Sequence, residues 1–133
     1  MLLSSVRCLV IAVCLLIGAT AFAGDLDELK NTTPAERAKA QTAMMKMKLG
    51  LTDDQVSKIG ALNLKYAEQM DPIIKGSEGP MMKMRDFRNV EEQKEAELKG
   101  LLSPDQFQKF QAMKEEMRDK LMDQIQQQRS KGS

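Results

Sequence analysis

Apolar positions in this chain recur every three or four residues and nowhere alternate with polar ones, and β-branched residues are few, so the pattern predicts helices and no strand. Local start and stop signals divide it into four helices. The first begins at Thr33-Pro34-Ala35-Glu36, where a Thr N-cap, a Pro at the first helical position and a Glu three residues after the cap compose a capping box, and it ends at Leu49 before Gly50. Ala38, Thr42, Met45 and Leu49 share one side of it, and Ala40, Met44 and Met47 fall on the other. The second starts at Thr52 and carries Val56, Ile59, Asn63, Tyr66, Met70 and Ile73 at helical spacing until Pro72 and Gly76 disrupt it. A second stripe on the same helix, Gly60, Leu64, Ala67 and Ile74, is left available for another partner.

The third helix covers about 81–99, with Met84, Phe87, Val90, Leu98 and Leu101 on one side and Gly100 at its end. The fourth opens at Ser103-Pro104 and places Phe107, Phe110, Met113, Met117, Leu121 and Ile125 in one stripe, followed by a polar tail over 126–133 that is expected to fray. Glu91-Glu92-Gln93-Lys94-Glu95 is charged nearly all round, which a thick core would not tolerate. The expected fold is therefore all-α, with about four helices as extended hairpins in a thin layer or cradle that a second copy completes as a homodimer.

Residues 1–23 read differently. Arg7 supplies a positive start, Leu9 to Ile17 is almost unbroken apolar chain, and Ala21-Phe22-Ala23 has the small-x-small pattern of a signal-peptidase site. The expectation is an exported, periplasmic protein cut after Ala23, with a flexible segment over 24–32, a helical domain over 33–125 and the polar tail behind it. An uncleaved anchor would need roughly 20 apolar residues, more than this run offers. A lipoprotein is disfavoured because Cys14 follows Val13, where a small residue is needed.

Composition then narrows the chemistry. Both cysteines, Cys8 and Cys14, lie in the signal and the chain has no His, so disulfides, zinc sites and Cys- or His-based nucleophile machinery are excluded from the remainder. Without Arg7, Lys plus Arg equal Asp plus Glu, and Tyr66, Phe87, Phe107 and Phe110 are the only aromatic residues left, which argues against a nucleic-acid partner. No Gly-rich loop or activated nucleophile accompanies the carboxylates, so no enzyme and no cofactor is expected.

Leu51-Thr52-Asp53-Asp54-Gln55-Val56 and Leu102-Ser103-Pro104-Asp105-Gln106-Phe107 are one device used twice. Thr52 or Ser103 is the N-cap, Gln55 or Gln106 reaches back to the cap's N–H, and Leu51 or Leu102 staples onto Val56 or Phe107. An exported, helical, cysteine-free chain with LTDDQ and a second LSPDQ resembles the LTxxQ family of Spy- and CpxP-like periplasmic proteins, over roughly 33–125. Leu51, Thr52, Gln55, Leu102, Ser103 and Gln106 carry the match, with Ser in the second copy where the pattern has Thr. The resemblance implies ATP-independent protection of unfolded envelope proteins by a cradle-shaped helical dimer and, for some members, inhibition of an envelope-stress sensor kinase.

Ten of the 11 methionines lie beyond the first residue. Met44-Met45-Lys46-Met47-Lys48 and Met81-Met82-Lys83-Met84-Arg85 are near copies. They admit three readings: core filling, an adaptable client surface edged by cations, or a thioether site for Cu(I) or Ag(I). The neighbouring cations oppose a bound metal ion, so the expectation is a chaperone or stress adaptor. Its client surface would comprise Met44, Lys46, Met47, Lys48, Met81, Met82, Lys83, Met84 and Arg85. A Cu(I)/Ag(I)-binding resistance protein is the alternative.

Overall fold

The computed structural model describes residues 30–132; the expected export signal, its cut site and most of the 24–32 segment lie outside the described residues. Four long helices and no strand make up the described chain: α1 (Pro34–Leu49), α2 (Asp53–Lys75), α3 (Pro80–Leu101) and α4 (Pro104–Lys131). α2 packs antiparallel against α1 and α3, and α4 packs against those same two helices. No described helix is long and apolar enough to cross a membrane.

Each helix begins where its local chemistry allows. Thr33 Oγ1 accepts the Glu36 N–H at 3.2 Å while Glu36 accepts the Thr33 N–H at 2.8 Å, a reciprocal box that opens α1. Gly50 closes it at φ 63°, a left-handed turn that a Cβ would strain. Pro72 does not end α2, because it stands in the last turn and the hydrogen bond it removes would lie on an exposed face. α4 runs on to Lys131 through the segment expected to fray, and its described side chains from Arg118 onward are exposed.

Burial of α-helical faces forms one main core from Met44, Met45, Leu49, Leu51, Ile59, Leu62, Tyr66, Leu98, Leu102, Phe110 and Met113. A smaller cluster at the far end of α2 joins Met70 and Ile74 to Phe87 and Val90. The charged middle of α3 is not solvated all round. Lys94 is buried, and Glu91 and Glu95 are half-buried, because α4 brings Gln111 and Lys114 onto Glu95 while α1 brings Gln41 onto Lys94.

The two Leu-Thr/Ser-x-x-Gln corners meet in space. Gln55 Oε1 accepts the Thr52 N–H at 3.0 Å, and Gln106 Oε1 accepts the Ser103 N–H at 3.0 Å. That leaves each amide nitrogen free to cross. Gln55 Nε2 donates to Gln106 Oε1 at 2.6 Å and to the Leu101 carbonyl at 3.1 Å. Gln106 Nε2 donates to Gln55 Oε1 at 3.0 Å and to the Gly50 carbonyl at 3.4 Å. Every partner has a counterpart 51 residues away, so the two corners are related by a local twofold. Leu51 and Leu102 are both buried beneath this contact.

Gln55→Glu separates the cap from the crossing. The carboxylate still accepts the Thr52 N–H but donates nothing to Leu101 or Gln106, so the variant should lose about 1–3 kcal/mol at neutral pH, the usual cost of an unmade buried hydrogen bond. Urea denaturation reads this directly. An unchanged midpoint would mean that capping alone accounts for Gln55.

Candidate functional site

Polar contacts hold the inner side of α1. The Arg37 guanidinium donates to Asp71 Oδ1 at 2.7 Å, and Lys75 together with Arg37 keeps the Asp71 carboxyl below its ordinary range by hydrogen bonding. Buried Asn63 donates from Nδ2 to Thr42 Oγ1 at 2.9 Å, while Thr42 donates to the Ala38 carbonyl at 2.8 Å. Buried Lys94 donates to Gln41 Oε1 at 2.6 Å. Burial lowers the pKa of that ammonium and raises that of the neighbouring Glu91 carboxyl. The Gln41 amide nitrogen is buried without a hydrogen-bond partner.

With these groups turned inward, the outward side of the α1–α2 pair is left mainly with carbon. A groove of about 440 Å³ lies there, lined by Ala35, Ala38, Lys39, Thr42, Ala43 and Lys46 of α1 and by Val56, Gly60 and Leu64 of α2. The Thr42 hydroxyl is occupied, so its methyl is what lies nearest Gly60. A Cβ built on Gly60 would meet that methyl at 3.7 Å, an ordinary contact. The fold therefore does not require glycine at 60, although mid-helix glycine costs about 1 kcal/mol relative to alanine. Leu64 remains 37% exposed, and neither the Lys39 nor the Lys46 side chain makes an ion pair or hydrogen bond among the described residues.

The residues expected to form the client surface separate. Met44 is 4% exposed and belongs to the main core, because α4 covers the side of α1 that the first hairpin alone would leave open. Lys83 is also buried, donating to the Ile74 carbonyl at 3.2 Å. Both are corrections to the expected surface. Met47 is 82% exposed, Met81 is 84% exposed, and Met82, Lys46 and Lys48 are exposed as well. Met84 is half-buried, and Arg85 pairs with Asp86 at 3.0 Å.

The two methionine segments also stand apart. Met47 precedes the start of α2 and Met81 follows its end, so the 23 residues of α2 put about 35 Å between them. They cannot converge on one ion. Of the second stripe of α2, Gly60 and Leu64 line the groove, whereas Ala67 and Ile74 are buried. Sequence reasoning missed Ala35, Lys39 and Ala43. The signal was present in the spacing of Ala35, Lys39, Thr42 and Lys46, which repeats every three to four residues along α1.

Among the described residues no group of three or more His, Cys, Asp or Glu could hold a metal ion. A family model described as a domain of unknown function, DUF4890, matches residues 23–110, a span that contains both glutamine corners and the whole groove. No curated protein and no solved structure matches the chain.

Two variants test the energetics of this site. Gly60→Ala should raise stability by about 0.5–1 kcal/mol, read as a higher denaturation midpoint, since the position accepts a Cβ and helix propensity favours it. The Lys94→Met/Gln41→Leu double variant should be more stable than the parent by about 1–3 kcal/mol at neutral pH, because it replaces a buried ammonium and an unpartnered amide with apolar groups. The folded-state pKa of Lys94 lies below its ordinary 10.5, so between the two values only the unfolded chain holds the proton and the parent gains stability as pH rises. The advantage of the double variant should therefore shrink toward pH 10.5, and an advantage constant with pH would contradict a charged Lys94 in the core.

Proposed function

The chain belongs to the DUF4890 family, and we propose that it is an exported, ATP-independent holding chaperone or envelope-stress adaptor that binds partly folded proteins through the outward face of α1 and α2. The observation that carries this reading is the groove itself: open, lined mainly by carbon, and flanked by two cations whose side chains have no partner among the described residues. Such a surface gains from burying apolar area while discriminating weakly among shapes. Exposed Met47 lies beside it at the end of α1 and adds an adaptable side chain.

The paired glutamine corners support the same reading through the resemblance to LTxxQ proteins, for which protection of unfolded envelope proteins is implied. They act here as frame and not as contact: the amide groups are engaged with one another and with backbone. The proposal moves the client surface away from Met44 and Lys83, which are buried, and onto Lys39, Lys46, Val56, Gly60 and Leu64. It includes self-association, which exposed Met81 and Met122 support.

The test is light scattering of a thermally or chemically unfolded client, with the chain from Gly24 onward added and no nucleotide present. Suppression of aggregation near equimolar ratio is the expected result. Undiminished aggregation at a several-fold molar excess, across clients of different charge, would overturn the reading.

A further inference from the structure

We propose that the α1–α2 groove docks an amphipathic helix bearing acidic residues seven positions apart along one edge, selected by Lys39 and Lys46. The inference rests on the holding function proposed above and names the class of segment held.

The edge of α1 at the groove has the geometry of an unfilled helix seam. Ala35, Lys39, Thr42 and Lys46 follow one another at intervals of four, three and four, the spacing by which one helix packs along another. Yet Ala35, Lys39 and Lys46 are exposed, although α2 lines the other wall of the groove. Gly60 keeps the floor open where the chain itself has room for a methyl group.

Backbone chemistry favours a helix as occupant. Both walls are α-helices whose backbone N–H and C=O groups already bond to one another, so an extended segment laid in the groove would find no partners for its own. A helix brings its hydrogen bonds with it. The groove runs about 17 Å from Ala35 to Lys46, enough for three turns.

Charge sets the edge. Lys39 and Lys46 stand about 10.5 Å apart along α1, the rise of seven helical residues, and among the described residues they are the only charged groups lining the groove. A single anionic headgroup would meet one of them; carboxylates at i and i+7 meet both. The chain's own C-terminal helical stretch does not fit. From Arg118 to Lys131 it carries Arg118, Lys120, Arg129 and Lys131 against Asp119 and Asp123 alone, the wrong balance for a lysine-edged groove.

The test uses three labelled synthetic helices with one shared Leu/Ala face: one with Glu at i and i+7 on the edge, one with Lys at those positions, and one with the two Glu moved to the opposite face. Fluorescence anisotropy is read against the chain from Gly24 onward and against its Lys39→Glu/Lys46→Glu variant, which changes only exposed side chains. The i,i+7 Glu helix should bind the parent about tenfold more tightly than the Lys helix, and the variant should reverse that order. The displaced-Glu helix should fall between them. Equal binding of all three, or an order unchanged in the variant, overturns the inference. If the helices show no preference while client aggregation is still suppressed, the docking inference fails and the holding function stands. If the preference appears and reverses while no client is protected, the holding function fails and the groove is the seat of a dedicated acidic helix.

Discussion

Two side-chain amides carry the geometry of this protein. Gln55 and Gln106 each close a capping box with the oxygen and reach across to the other corner with the nitrogen, so a local device for starting a helix also joins helices that begin 51 residues apart. A capping Glu would start each helix as well, but of the two residues that close a capping box only glutamine offers acceptor and donor together. The crossing also engages the carbonyls of Gly50 and Leu101, which end α1 and α3 and would otherwise lack helix partners. Four helix termini are thereby satisfied in one small contact above buried Leu51 and Leu102.

From that contact the division between inside and outside of α1 follows. The corner fixes where α1 meets α2 and where α3 meets α4, and the remaining freedom of α1 is removed by Arg37 on Asp71, Asn63 on Thr42 and Lys94 on Gln41. Polar groups thus lie on the inner side of α1, where the buried Gln41 accepts from Lys94 but its amide nitrogen has no partner. Its outer side keeps alanines, a threonine methyl and lysine side chains that pair with none of the described residues. Met44, Met45 and Leu49 keep the usual apolar stripe on the core side of α1, and the groove adds a second, outward apolar strip beside it. It is the physical basis for reading the outer face as a surface that awaits something apolar and acidic.

Helix boundaries were largely legible because caps are local: Thr33, Thr52 and Ser103 announce their helices within three residues, and Gly50 stops α1 through its own backbone angle. What pairing of distant residues decides was not legible. Met44 looked like the outer side of an isolated α1 until α4 covered it, and Lys83 looked like a surface cation until the last turn of α2 supplied a carbonyl. The repeat of the motif could be seen in the sequence, but its meaning as a reciprocal lock depends on which way the two amides face. The groove was half visible, through Gly60 and Leu64; its α1 wall was hidden because lysine at a seam position reads as solvation.

The most direct measurement is a double-mutant cycle on the two glutamines. Gln55→Ala, Gln106→Ala and the double variant are unfolded in urea, and the coupling is taken from the failure of the single effects to add. Reciprocal amides predict a coupling of about 1 kcal/mol or more, with the double variant losing less than the sum of the single losses. Additivity within about 0.3 kcal/mol would mean two independent caps, and the lock on which this account of the fold depends would be contradicted.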